Sequence, residues 1–197
     1  MVSAILLAAG EAKRMGSPKM LMPFGGGTVL EWSLDNLLAS RVYEVIVVLG
    51  PQAGEIKKII SGRQVSVAVN KNYQQGMSTS LIAGLKLVDK QAKGIMIALA
   101  DQPLVRSETY DGLIQASLDS DKGITVPVYR GTRGNPVIFS SKYKKELKEL
   151  KGDVGGKEII RRHPDDVLEV AVQTESINLD INTMNDYHKL LNDGAAG

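Results

Sequence analysis

The segment Val2-Ser3-Ala4-Ile5-Leu6-Leu7-Ala8-Ala9-Gly10-Glu11-Ala12-Lys13-Arg14-Met15-Gly16-Ser17-Pro18-Lys19 decides how the rest of the chain is read. An apolar run over 2–9 stops at Gly10. The short loop after it carries a second glycine, Gly16, and three cations, Lys13, Arg14 and Lys19. Past an apolar patch and the Gly25-Gly26-Gly27 turn, an amphipathic segment begins at Thr28. The order is strand, glycine-rich loop, helix, and such loops present backbone N–H groups and cations to phosphate. A plain strand-to-helix turn with solvated lysines has the same composition. Two nucleotide motifs are excluded: no Gly-Lys-Ser/Thr follows Gly10 at P-loop spacing, and Gly10 and Gly16 do not fit G-x-G-x-x-G.

Outward from this segment, apolar runs alternate with helical patterns. A helix is predicted over 28–39, with Thr28 and Glu31 at capping-box spacing and Val29, Trp32, Leu34 and Leu37 at about helical period. Strands follow over 42–49, 65–69 and 94–100, the last almost wholly apolar and therefore central. Helices over 53–60 and 78–89 lie between them. Strands apolar on both faces and separated by helices predict an α/β fold, a Rossmann-like three-layer sandwich around a mostly parallel sheet. Sites in such sheets lie beyond the carboxyl ends of the strands, so the loops beginning at Gly10, Asn70 and Asp101 stand out. The second half is less regular. It reads as a helix over 107–118, strands over 124–129, 136–139, 166–172 and 176–179, and helices over 142–150, up to about 162 and 184–191. Pro127 within a strand implies an edge or a bend, and 130–135 reads as a loop.

Composition narrows the chemistry. The chain has 197 residues, 43% hydrophobic and 23% charged, with a net charge of +2, ordinary values for a globular domain. That charge is too small to make nucleic acid or a membrane the main partner. With no cysteine and two histidines, disulfides, zinc–thiolate sites, iron–sulfur clusters and thiol nucleophiles are excluded. The opening apolar run is too short to span a membrane and lacks a leader pattern, so the expectation is a cytoplasmic protein.

Four stretches carry candidate chemistry besides ordinary structural readings. The first is the opening loop. The second, Asn70 through Gln75-Gly76-Met77-Ser78-Thr79-Ser80-Leu81, reads either as a loop with a serine N-cap or as a close-approach glycine followed by hydroxyls at a helix N-terminus. The third, Ala100-Asp101-Gln102-Pro103, places a carboxylate at the end of the most apolar strand, as a helix cap or as a magnesium ligand. The fourth is Leu179-Asp180-Ile181-Asn182-Thr183, whose aspartate is either a helix cap or a second ligand.

Taken together, these stretches resemble the MobA-like NTP transferase family. Leu7-Ala8-Ala9-Gly10, Arg14, Met15-Gly16 and Lys19 match its opening signature, and the Ala8-Ala9-Gly10 form is similar to that of the molybdenum cofactor cytidylyltransferases. The resemblance implies a nucleotide-diphospho-sugar transferase-like fold, with one domain over 1–197. Its nucleotide-binding half is 1–101, its acceptor-binding half 102–191, and 192–197 is a tail. It implies nucleotide contacts at Leu7, Ala8, Ala9, Gly10, Arg14, Gly16, Lys19, Asn70, Gly76, Met77, Ser78 and Ser80. Asp101 and Asp180 become ligands of a Mg2+ cofactor, with Arg14, Lys19 and Asp101 as the catalytic set. Gln102, Pro103, Arg133, Gly134, Asn135, Gly152, Asp153 and Lys157 become acceptor contacts. The implied reaction joins a nucleotide from an NTP, CTP by preference, to the terminal phosphate of a molybdopterin acceptor, releasing pyrophosphate. A GTP-using relative, a non-catalytic maturation factor and a partner molybdoenzyme or its chaperone are implied alternatives. The sequence departs from the family pattern at Ala12, Gly156, Lys157, Asn182 and Met184.

Overall fold

The opening apolar run forms β1 (Val2–Ala8), buried along its whole length, in a computed structural model that describes residues 1–11 and 15–194. The glycine turn closes a small antiparallel hairpin of β2 (Pro23–Phe24) and β3 (Gly27–Thr28) and delivers the chain to α1 (Val29–Leu38). The capping box is present: Glu31 N donates to Thr28 Oγ1 at 3.3 Å and Thr28 N donates to Glu31 Oε2 at 2.9 Å. Removing the side-chain half of the box with Thr28→Ala, which leaves the Thr28 backbone N–H to Glu31 bond in place, is expected to cost about 1 kcal/mol, read as a lower urea midpoint with an unchanged denaturant slope.

The chain continues through β4 (Glu44–Leu49), α2 (Ala53–Ile59), β5 (Ser66–Val69), α3 (Met77–Leu85) and β6 (Gly94–Leu99). Then come α4 (Ser107–Leu118), β7 (Ile124–Tyr129), β8 (Thr132–Arg133), β9 (Val137–Ser140), α5 (Lys144–Glu149), α6 (Lys157–Arg162), β10 (Val167–Ala171) and α7 (Met184–Gly194). The main sheet has the order β10-β7-β9-β6-β1-β4-β5, with β8 paired to β7. Strands β5, β4, β1 and β6 run parallel, and β9 is antiparallel to both β6 and β7. The apolar β6 lies at the centre, as its composition predicts.

Period-two alternation along β1 divides the core into two layers. Ala4, Leu6 and Ala8 face Leu30, Leu34 and Leu37 of α1 and Tyr110, Leu113 and Ile114 of α4. Ile5, Leu7 and Ala9 face the opposite layer, with Leu81 and Leu85 of α3, Leu147 of α5, and Ile159 and Ile160 of α6. Both faces of the sheet are covered, which is why its inner strands carry no polar alternation. Parallel register pairs Leu7 with Leu99, and Ala100 N donates to Leu7 O at 3.1 Å. The loops leaving β1 and β6 are neighbours for that reason.

Four local expectations are corrected. Residues 176–179 are not a strand. Glu175–Asn178 is a 3-10 turn in which Ser176 N donates to Thr174 Oγ1, and Ile177 O is taken by Asn135 N and Gln102 Nε2 instead of a ladder. Strand β7 is interior, not an edge: Pro127 falls where pairing passes from β9, up to Thr125, to β8, from Val128. The 130–135 loop contains a tight hairpin, with Arg130 at φ 49° and Gly131 at φ 81°, the positive-φ pair a type I′ turn requires. The last helix extends to Gly194, so the tail expected from 192 is helical through that point. Residues 195–197 lie outside the described residues.

Candidate active site

A cleft of about 600 Å3 opens beyond the carboxyl ends of β1 and β6. Its floor is the end of β1. Alternation turns Leu7 and Ala9 toward the cleft and Ala8 into the core. A Cβ on Gly10 would meet nothing within 4 Å among the described residues, which leaves the backbone there open to an occupant on that side. Behind it, a Cβ on Gly50 would come within 2.5 Å of Ala9 O. That glycine lets the end of β4 press against Ala9 and fix the start of the loop.

One wall carries the charge. Asp101 follows β6 directly, and Ser33 Oγ donates to Ala100 O at 2.8 Å beneath it. Lys19 Nζ donates to Asp101 Oδ2 at 2.7 Å, while Asp101 Oδ1 is buried without a hydrogen-bond partner among the described residues. Burial pushes the Asp101 carboxyl above the usual carboxylate range; Lys19 opposes the shift and the neighbouring Asp180 carboxylate adds to it. Ile181 N donates to Asp101 O at 3.0 Å, which brings Asp180 to the same wall. Gln102, expected to contact an acceptor, is 2% exposed and points back. Its Nε2 donates to Asp180 Oδ1 at 2.8 Å and to Ile177 O at 3.0 Å, so it sets the orientation of Asp180.

The facing wall is the turn into α3. Tyr73, Gln74, Gln75, Gly76, Met77 and Ser80 line the cleft, with Asp153 beside them. Asn70 supports this wall: its Nδ2 donates to Thr79 Oγ1 and Ser80 Oγ at 2.8 and 2.9 Å, and its Oδ1 accepts from Asn72 N at 2.9 Å. Ser78 is not the helix cap. It is the second residue of α3, and Gly76 at the cap position has no side chain to offer. The cap comes from another segment: Met77 N donates to Asp153 Oδ1 and Ser78 N to Gly152 O, both at 3.2 Å.

The remaining expected contacts are dispersed. Gly16 is exposed at φ 66°, and Pro103 is buried, its carbonyl accepting from Asn36 Nδ2 at 3.2 Å. Arg133, Gly134, Asn135 and Lys157 line a separate cavity of about 470 Å3, where Arg133 pairs with Glu169 at 2.6 Å. Arg14 lies outside the described residues. Helix α7, which follows the Asp180 segment, is capped by Thr183 and Asp186, leaving Asn182 Nδ2 3.4 Å from Asp180 Oδ2. Sequence reasoning missed Glu11, Met20, Tyr73, Gln74, Gln75, Leu99 and Asn182 as lining residues. Tyr73, Gln74 and Gln75 directly precede Gly76, and that adjacency was the available signal.

Among the described residues no three His, Cys, Asp or Glu side chains cluster as a metal cage. Two carboxylates, one with a buried unpartnered oxygen, suit instead a hard divalent cation that keeps waters and takes phosphate oxygens as its other ligands. No helix among the described residues is long and apolar enough to cross a membrane.

The MobA-like NTP transferase domain model matches residues 4–167. Nicotine blue oxidoreductase of Paenarthrobacter nicotinovorans is 28% identical, with 96% of each chain covered. The molybdenum cofactor cytidylyltransferase of Escherichia coli is 30% identical over 71% of this chain and 70% of its own. Among solved structures, the Rv0371c homologue from Mycobacterium sp. strain JC1 superposes with a TM-score of 0.90 at 30% identity, covering 99% of this chain and 97% of the other. Rv0371c of Mycobacterium tuberculosis, solved as a manganese complex, gives 0.84 at 32%, covering 97% and 98%. The nucleotidyl transferase Mth528 of Methanothermobacter gives 0.86 at 25%, covering 100% and 98%. With a mixed, mostly parallel sheet, a cleft at its carboxyl edge and a family model matched over most of its length, the chain belongs to the MobA-like NTP transferase family and is a nucleotidyltransferase with the nucleotide-diphospho-sugar transferase fold.

Proposed function

We propose that the chain transfers CMP from CTP to the terminal phosphate of a molybdopterin-type acceptor in a Mg2+-dependent reaction that releases pyrophosphate. One observation carries the reading: the open Gly10 backbone, Lys19 and the Asp101–Asp180 pair share one cleft. Similarity to the Escherichia coli molybdenum cofactor cytidylyltransferase supports the substrate pair, and the manganese complex of Rv0371c supports a divalent cation.

A divalent cation held by Asp101 and Asp180 would offset charge on the reacting phosphates. The chain's own residues do the rest. The Ala9–Gly10 backbone receives the nucleotide, and Lys19 offsets charge on the departing pyrophosphate, as Arg14 is proposed to do. Gln102 holds Asp180 in orientation. Phosphoryl-type transfer of this kind relies on positioning and charge neutralisation, and an anionic acceptor phosphate needs no dedicated general base. The division into a nucleotide half over 1–101 and an acceptor half over 102–191 belongs to the same proposal, as does a cytoplasmic setting. A second reading, redox chemistry in the same cleft, is favoured by the alignment with nicotine blue oxidoreductase along 96% of both chains.

Incubation with molybdenum cofactor, Mg2+ and either CTP or GTP separates these readings. The expected result is pyrophosphate release at least tenfold faster with CTP. Equal or faster release with GTP overturns the cytidylyl assignment. No release with either nucleotide, together with oxidation of added NADH by an added quinonoid two-electron acceptor in a parallel assay, moves the chain to the redox reading.

A further inference from the structure

Lys19 holds a position that the proposed reaction needs for something else. Its Nζ sits 2.7 Å from Asp101 Oδ2, and the two side chains are only 12% and 19% exposed. The pair is half-made, because Asp101 Oδ1 stays buried without a partner among the described residues. Asp180 on the same wall is bonded by the neutral donors Gln102 and Asn182. Among the described residues, the wall therefore holds two carboxylates and one ammonium. A lysine is a compact point charge on a flexible four-carbon stem, so Nζ can swing while the backbone stays. Lys19 begins the 3-10 turn Lys19–Leu21 and lines the cleft with Gly10, so a swing from Asp101 keeps it within that cleft. Two cations in contact with one carboxylate oxygen repel each other strongly where water is scarce.

We propose that Lys19 is the exchangeable counter-ion of the Asp101–Asp180 pair, so that a divalent cation and Lys19 exclude each other at Asp101 and cation entry hands Lys19 to the phosphates of the bound nucleotide. The inference rests on the cation site proposed above and adds a coupling to it. Bound nucleotide gives Lys19 a new partner and thereby favours the cation, and the cation favours the nucleotide by the same factor. The exchange keeps a half-buried carboxylate pair from standing without a counter-charge before the substrates arrive.

The test is Mn2+ binding to the full chain, followed by the spin-resonance signal of free Mn2+, with and without a non-hydrolysable CTP analogue. Titration at pH 7.5 and 9 separates proton competition for Asp101 from the exchange itself. Lys19→Met at pH 9 is expected to bind Mn2+ about tenfold more tightly than the natural chain when nucleotide is absent. The enhancement of Mn2+ binding by nucleotide should shrink about tenfold, what remains coming from phosphate oxygens. Lys19→Arg, which keeps the charge, should retain most of the natural enhancement. Nucleotide-free Mn2+ affinity in Lys19→Met equal to or below that of the natural chain overturns the exchange. Asp101→Asn serves as the control for the underlying site. If it binds Mn2+ as well as the natural chain does, the cation site itself fails. If it loses binding while Lys19→Met gains nothing, only the exchange fails.

Discussion

Asp101→Asn is expected to reduce pyrophosphate release by about 10^3-fold or more while leaving thermal stability unchanged or raised. The two effects have one cause. The native carboxylate is buried beside Asp180 with Oδ1 unpartnered among the described residues, so folding strips it of water and returns chiefly the Lys19 bond. An amide of the same shape carries no charge to desolvate. It also cannot offer the second anionic oxygen that a cation and a charged transition state demand. The pH dependence has a definite sign. Asp101 titrates above its ordinary value of 3.8 in the folded chain, so between that value and its folded one the native state binds more protons than the unfolded state. Stability contributed by this group therefore falls as pH rises through the window. The variant lacks that slope. Thermal melts from pH 4 to pH 8 should show the natural protein losing ground to Asp101→Asn toward the upper end. A variant that melts well below the natural chain at pH 8 would mean that the Lys19 bond outweighs the burial cost.

The same residue shows how far sequence reasoning reaches. Apolar runs on both faces of β1, β4 and β6 announced a covered parallel sheet, because solvent contact on either face would have forced alternation. Asp101 stood out because a carboxylate directly after such a strand has few structural uses. Gln102 turns back toward Asp180 and Ile177, a direction no local pattern predicts, since side-chain direction after a strand depends on where the chain returns. Its partner Asp180 is 78 residues away, and no local pattern encodes that meeting. The turn at 176–179 failed for a related reason. Ser-Ile-Asn-Leu has strand composition, but Ile177 O is claimed by Gln102 and Asn135 from distant segments. The proposed acceptor contacts were legible as motifs but not as one site. Asp153 reaches the cleft, whereas Arg133 and Lys157 open on a second cavity, a division that depends on how β8 and α6 pack. Which residues form motifs is therefore more legible than which of them face one another.

Gly76→Ala is expected to be the most damaging single-methyl substitution around the cleft. Gly76 sits at φ 106°, where a side chain is strained. An added Cβ would lie 2.4 Å from Gly152 C and O and 2.5 Å from Asp153 N. All three are backbone atoms, so no rotamer change can relieve the clash. The wall must separate, and separation breaks the cross-segment cap in which Asp153 Oδ1 accepts from Met77 N and Gly152 O from Ser78 N. Overpacking of about 1–3 kcal/mol, backbone strain of about 1–3 kcal/mol at φ 106° and ψ 170°, a region essentially confined to glycine, and cap loss of about 1 kcal/mol share one relaxation and do not simply add. A loss of about 3 kcal/mol in urea unfolding is the expected result. Gly112→Ala provides the opposite control. Gly112 is an exposed position in α4 whose Cβ would meet nothing, so it should gain about 0.5–1 kcal/mol. If the two variants unfold alike, the contact between the α3 turn and the Gly152 loop does not hold the cleft wall. If Gly76→Ala alone collapses, and nucleotide affinity falls with it in the fraction that remains folded, the wall facing Asp101 is a joint between two distant segments. A single methyl group is then enough to open it.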